Sequence, residues 1–231
     1  MKFLTLLIFP QVFLFIIGLQ GSPEKIRPNI LWLVVEDQSK HYGFNGEKLV
    51  HTPILDELAG NGVRFTNASV TAPVCSTARS AVITGMYQTS IGAHHHRSGR
   101  GEAKIQKPDH IKLIPELFHK AGYYTCLGSS VHGAGRASPK YKNRLGKSDY
   151  NFEWNRSVFD SAEWSGRKKG QPFFAKICLN GGKARSQARA SKHIPHVDAS
   201  KVVLPPYYPR HPIVLEDWAA YLDTFSLMDF Q

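Results

Sequence analysis

An α/β fold with a mostly parallel sheet flanked by helices is what this sequence predicts, on three observations. Asn29 to Val35 (NILWLVV) and Pro172 to Leu179 (PFFAKICL) are continuous apolar runs of strand length, the pattern of strands buried on both faces. Segments with helical start and stop residues lie between and after them. The chain has 231 residues, enough to bury a full core as one domain or two.

The elements follow in order. Lys2, the apolar stretch Phe3 to Ile17 and the small residues Gly18, Gly21 and Ser22 read as a signal peptide over residues 1–22. The apolar stretch is short for a membrane span and Gln11 interrupts it; an uncleaved anchor is the alternative. Residues 23–231 are then expected outside the cytoplasm (periplasmic, secreted or in a lysosome-like lumen), with no stable membrane span after cleavage. Thr52-Pro53 opens a short helix, Thr as cap and Pro in the first turn, which Gly60 and Gly62 stop. Val63 to Val70 reads as a second strand, Ser76 to Thr84 as a helix ended by Gly85, Ile111 to Ala121 as a helix ended by Gly122, and Tyr123 to Leu127 as a strand. Gly128 to Arg144, rich in Gly, Ser, Lys and Arg, reads as a loop insertion, and Lys183 to Ser200, with His193 and His196, as a further loop. Val214 to Phe230 is expected to be an amphipathic helix; with no strand after it, the reading is of a domain incomplete at its C-terminus.

Lysine and arginine number 29 against 18 acidic residues, a net charge of +11. They are scattered, and no aromatic–basic stacking platform accompanies them, so no nucleic-acid partner is expected. A sulfated or otherwise anionic glycan suits an exported basic surface; a merely soluble cationic surface explains the same charge. Three cysteines make no disulfide framework: Cys126 and Cys178 end apolar runs, buried or paired, and Cys75 stands apart.

Cys75 opens the helix in APVCSTARSAVITG. There the helix dipole favours a thiolate and free N–H groups face any anion. Arg79, one turn on, lies on the same face and its planar fork suits an oxyanion. A Cys-x5-Arg phosphatase loop is not matched, because the spacing is four. A buried cysteine beside a surface arginine is the plainer reading of this pair. Glu36-Asp37 directly follows the first strand, and ligands of parallel α/β sheets gather at strand carboxyl ends. Adjacent carboxylates there suit Ca²⁺ or Mg²⁺, or are simply a solvated acidic turn.

The segments RPNILWLVVED, HTPILDELAGNGVRFTNASV, APVCSTARSAVITGMYQTSIGAHHHR, AGYYT, GKSDYNF and QPFFAKICLNGG, in this order, resemble the formylglycine-dependent sulfatases of the alkaline phosphatase superfamily. The resemblance implies a sulfatase-like fold over residues 23–231 and hydrolysis of sulfate esters, with sulfated glycans as the substrate class. It implies oxidation of Cys75 to formylglycine by a formylglycine-generating enzyme. One oxygen of the hydrated aldehyde then attacks sulfur and the alcohol leaves; the second hydroxyl expels sulfate and regenerates the aldehyde. Glu36, Asp37 and residue 75 are implied as ligands of a calcium or magnesium ion, Arg79 as the holder of formylglycine, and Lys147 as a catalytic, sulfate-contacting residue. His95 and His96, in the His94-His95-His96-Arg97 run, are implied to border the substrate pocket; three consecutive histidines cannot all aim at one ion.

The sequence departs from the family at defined positions. Thr77 stands where the oxidation motif has proline or alanine, Asp149 where a histidine is common, and Ala184 where a histidine is expected and no proton can be donated. Later metal ligands of the family fall beyond residue 231. These departures keep a second reading open, a non-catalytic or decayed sulfatase-like protein that binds anionic glycans.

Overall fold

The structure is a computed structural model that describes residues 27–102, 104–129 and 145–230. The signal-peptide reading and nearly all of the insertion from Gly128 to Arg144 lie outside them. Three strands, β1 (Ile30–Val35), β2 (Tyr124–Ser129) and β3 (Phe173–Leu179), form an all-parallel sheet in the order β1-β3-β2. The register pairs Trp32 with Lys176 and Lys176 with Leu127. Among the described residues, five α-helices accompany it: α1 (Pro53–Asn61), α2 (Cys75–Thr84), α3 (Ile114–Lys120), α4 (Arg185–Ala190) and α5 (Pro212–Phe230).

One face of the sheet is well covered. Phe174 and Cys178 of β3 and Leu127 of β2 join Ile83 of α2, Leu113, and the aromatic run Tyr150, Phe152 and Phe159 in the main core. The other face is covered less. Cys126, Phe173 and Ala175 are buried there, but Leu31 and Leu33 of the edge strand β1 are 51% and 44% exposed. The expectation that β1 is buried on both faces is therefore corrected: its pleat alternates, and only the side bearing Ile30 and Trp32 meets the core. Cys126 and Cys178 are both free thiols.

Three further expectations change. Val63 to Val70 is irregular, with a turn at Thr66-Asn67, rather than a strand, and Val63 and Phe65 are more than four-fifths exposed. The stretch from Lys183 to Ser200 contains α4 and a 3-10 turn at Ala199–Lys201. Helix α5 is not amphipathic: Ala219 to Asp229 are buried without a break. It packs against α4 and α1 and carries a second core, in which Tyr221, Leu222 and Phe225 meet Tyr42, Leu49, Val197 and Val202. Its polar residues bond loops. Asp223 accepts from Val197 N at 2.7 Å and pairs with Arg189 and His196 at 3.0 and 3.1 Å. Asp229 accepts from the amides of Ile54 and Leu55 at 3.1 and 2.8 Å, capping α1. Thr52 sits at the N-cap position of α1, as expected, but its side chain makes no cap bond: its hydroxyl donates to Asp56 and accepts from Gly43 N. No helix among the described residues is long and apolar enough to cross a membrane.

Candidate active site

The carboxyl ends of β1 and β3 meet the first turn of α2. Strand β1 ends into Glu36 and Asp37, and Asp37 has a left-handed φ of 52°. The loop after β3 runs directly against this turn, where Gly182 N donates to Glu36 O at 3.0 Å. A Cβ on Gly181 would lie 1.4 Å from Glu36 O, and one on Gly182 would lie 1.9 Å from Asp37 O. Only glycine permits that approach. It brings Lys183, the next residue, over Asp37.

Cys75 is the first residue of α2, after an extended Val74, and α2 ends at Gly85 in the left-handed conformation that glycine adopts freely. Cys75 Sγ lies 3.9 Å from Asp37 Oδ1, and Lys183 Nζ lies 3.7 Å from Cys75 Sγ and 3.0 Å from Asp37 Oδ2. One turn into the helix, Arg79 is only 5% exposed. Its guanidinium donates to Glu36 Oε1, to Lys147 O at 3.2 Å and to Cys178 Sγ at 3.1 Å, and its Nε lies 3.4 Å from Asp149 Oδ1. That oxygen is buried and makes no hydrogen bond, so its contact with Arg79 is one of charge rather than of bond geometry. Lys147 Nζ contacts Glu36 at 2.7 and 2.9 Å and Asp149 at 4.0 Å. The segment that carries Lys147 and Asp149 is fastened to α2 through buried Asn151, whose amide donates to Ser80 Oγ at 2.9 Å and whose side chain reaches Ala93 O and, at 3.5 Å, Thr77 Oγ1.

Burial pushes the Arg79 pKa down, but Cys178 and Glu36 outweigh it and hold the guanidinium above its ordinary range. The hydrogen bond to Asp37 raises Lys183. Behind the site, Lys176 is fully buried between Trp32 and Tyr150, its Nζ 5.9 and 5.3 Å from their ring centres. Burial lowers its pKa to about 8, with Arg79 adding to the shift and Cys178, Asp149 and Glu36 opposing it.

Glu36, Asp37, Cys75, Arg79 and Lys147 thus converge. His96 joins at one remove: its Nδ1 is 2.9 Å from Ser76 Oγ, which also accepts from Arg97 N. His95 is exposed and contacts the ring of His94. Ala184 is buried at the start of α4. Reading by spacing missed Lys183 as a member of the cluster, although its place just after a strand end was the available signal. It also missed Cys178 as an acceptor for Arg79; nothing local in the sequence marks it.

A divalent cation finds an incomplete shell here. Glu36 faces Arg79 and Lys147, and Asp37 faces Lys183. Among the described residues no group of three or more His, Cys, Asp or Glu side chains converges to hold a metal, whereas Ca²⁺ takes six to eight oxygen ligands and Mg²⁺ near-ideal octahedral geometry.

A sulfatase domain model matches residues 28–212, and the chain belongs to the sulfatase family. Over 160 residues it is 36% identical to an ulvan-active sulfatase of Formosa agariphila, covering 64% of this chain and 24% of that protein. Over 122 residues it is 34% identical to human N-acetylgalactosamine-6-sulfatase, covering 50% and 23%. The chain therefore spans about a quarter of the length of these relatives. The solved structure of yidJ from Bacteroides fragilis superposes with a TM-score of 0.57 at 18% identity, over 92% of this chain and 58% of that one. The phosphonate monoester hydrolase of Agrobacterium radiobacter gives 0.53 at 15% identity, over 88% and 57%. Both share the sulfatase-like fold, a parallel sheet with flanking helices.

Proposed function

We propose that this chain carries the nucleophile-bearing part of a sulfuric ester hydrolase that acts on sulfated glycans outside the cytoplasm. The observation that carries the reading is the position of Cys75 at the mouth of α2, beside the Lys183 ammonium, with Arg79 and Lys147 behind it. Oxidation of Cys75 by a formylglycine-generating enzyme supplies an aldehyde whose hydrate is an oxygen nucleophile. The residues around it do the rest. Arg79, fixed by Glu36 and Cys178, orients residue 75 from within the helix. Lys147 and Lys183 present fixed cations to the sulfate oxygens, and charge that develops on the ester is stabilised most by donors already in place. Glu36, Asp37 and residue 75 are the side chains to which a calcium or magnesium ion belongs in this reading, but their partners, Arg79, Lys147 and Lys183, leave no shell for it.

Charge and the relatives' names support sulfated glycans as the substrate class. A cavity of about 250 Å³ is lined by Arg97, Arg100, Lys104 and Arg156 and shares Asp149 with the cluster. Four cations against the two carboxylates Asp149 and Glu153 leave the groove net positive, which suits a polyanionic chain better than a neutral ester. The test is mass spectrometry of the Cys75 peptide together with sulfate release from an aryl sulfate and from sulfated glycan oligomers. Unmodified cysteine and no sulfate release overturn the catalytic reading. The second reading, glycan binding without turnover, is favoured by Thr77 and Ala184; retention on immobilised heparin without hydrolysis is its signature.

A further inference from the structure

Beside the cluster lies a row of side chains that the proposed reaction does not use. Tyr207, Tyr208, Trp218 and Tyr221 stand ring against ring, with successive centroids 4.9, 5.6 and 5.1 Å apart. Exposure falls along the row, from 76% at Tyr207 and 44% at Tyr208, through half-buried Trp218, to 8% at Tyr221. The inner end abuts the candidate active site. Tyr221 Oη accepts from the amide of Ser39, two residues after Asp37, at 3.1 Å. Tyr221 Cε2 lies 2.8 Å from where a Cβ on Gly182 would be, and the next residue, Lys183, contacts Cys75. The outer end is held in shape. Pro205, Pro206 and Pro209 flank the two tyrosines and fix their own φ. Tyr208 N donates to Pro205 O at 3.0 Å, and Arg210 ties the loop to Val202 O at 3.4 Å. Charges on the helices beside the row are paired, Arg185 with Asp217 at 2.8 Å and Arg189 with Glu216 at 3.1 Å.

We propose that this row is a saccharide subsite, on which the C–H faces of sugar rings flanking the sulfated residue stack. The inference rests on the reading of a sulfated glycan as substrate and adds where the rest of that glycan lies. A pyranose has an apolar face whose polarised C–H hydrogens meet the negative face of an aromatic ring, while its hydroxyls stay in water. Tyrosine and tryptophan offer such faces with little side-chain entropy to lose, and a loop already fixed by prolines loses little more. Continuity with the cluster and the paired charges select this occupant: sulfate groups belong with Lys147 and the basic groove, and the row takes ring carbons. Arg185, stacked over Tyr221, and Asp217 stand beside it as partners for sugar hydroxyls.

The test is calorimetric titration of the full chain with a chondroitin sulfate hexasaccharide at low and at high salt. Tyr207→Ala combined with Tyr208→Ala is expected to weaken binding about tenfold at both, because stacking, unlike charge, is not screened. Tyr207→Phe combined with Tyr208→Phe keeps the rings and is expected to stay within about twofold of the unaltered chain. Tyr87→Ala removes an exposed ring beyond the C-terminal end of α2 and is expected to match the unaltered chain. Unchanged affinity in the alanine double, an equal loss in the phenylalanine double or in Tyr87→Ala, or self-association of the unaltered chain that the alanine double abolishes in light scattering overturns the subsite and leaves the glycan reading standing. No binding of the hexasaccharide by the unaltered chain overturns both.

Discussion

Arg79 is where the cluster is most exposed to damage by a single change. Its guanidinium is nearly buried, raised above its ordinary range, and bonded to Glu36, Lys147 O and Cys178. Removing it leaves Glu36 and Asp149 partly buried, with Lys147 as the one remaining cation in direct contact among the described residues. Arg79→Met is expected to destabilise the fold by about 3–5 kcal/mol, the usual cost of leaving a buried charge unpaired; urea unfolding with a loss under about 1 kcal/mol would contradict it. Lys176 is the opposite case, a buried cation whose folded pKa, about 8, lies below its ordinary 10.5. Between those values the unfolded chain binds more protons, so this group makes stability rise with pH through that window, and below it the full burial penalty stands. Cys126, raised from 9.0 to about 12 mainly by burial, acts in the reverse sense above pH 9. Comparison with Lys176→Met isolates the lysine: the variant is expected to be more stable at pH 7 by on the order of 3 kcal/mol, with the advantage shrinking as pH approaches 10. Denaturant melts across that range decide it. The placing of Cys75 and Arg79 one turn apart on α2, and of Glu36 and Asp37 at the end of β1, is legible because each is a local spacing. The roles of Lys183, Cys178 and Asp149 are not, because their partners lie dozens of residues away and meet only through strand order and a glycine approach.

At the level of elements, the largest gap between sequence and structure is α5. Its pattern reads as one apolar stripe because Asp223, Thr224, Ser226 and Asp229 look like a wet face. They are in fact buried, each bonded to another segment: Thr224 to Gln38, Ser226 to His51, Asp223 to Val197 and His196, and Asp229 to α1. Periodicity counts side-chain polarity and cannot see that a backbone elsewhere needs an acceptor. The same blindness explains Thr52, whose sequence context marks it as the α1 cap while a carboxylate from the far end of the chain takes the role. A carboxylate at a helix start both accepts the free amides and complements the dipole. Asp229→Ala is expected to cost about 1–2 kcal/mol and to speed hydrogen exchange of the Ile54 and Leu55 amides, while amides of β3 keep their protection relative to global stability. Uniform acceleration across the chain would mean that α5 packing, rather than the cap, was lost.

Over the whole molecule, the +11 charge admitted two readings from sequence, an anionic glycan partner or a generally cationic surface. We favour the first, because the fold gathers Arg97, Arg100, Lys104 and Arg156, from two segments some fifty residues apart, around one cavity that also holds Glu153 and reaches Asp149. Diffuse charge loses affinity in proportion to the number of charges removed, wherever they sit; a groove loses more when its own charges go. Exposed pairs are screened over a Debye length of about 10 Å at 0.1 M salt, so charges outside the groove contribute least near physiological ionic strength. Arg100→Ala combined with Arg156→Ala is therefore expected to lower affinity for a heparin oligosaccharide about tenfold, taking roughly 0.7 kcal/mol for each exposed contact. The pair Lys168→Ala with Lys169→Ala, which removes the same charge from an exposed turn, is expected to change it far less. Titrations at two salt concentrations distinguish the cases. If both doubles lose affinity equally at each, the groove has no special claim on the glycan and the surface as a whole is the binder.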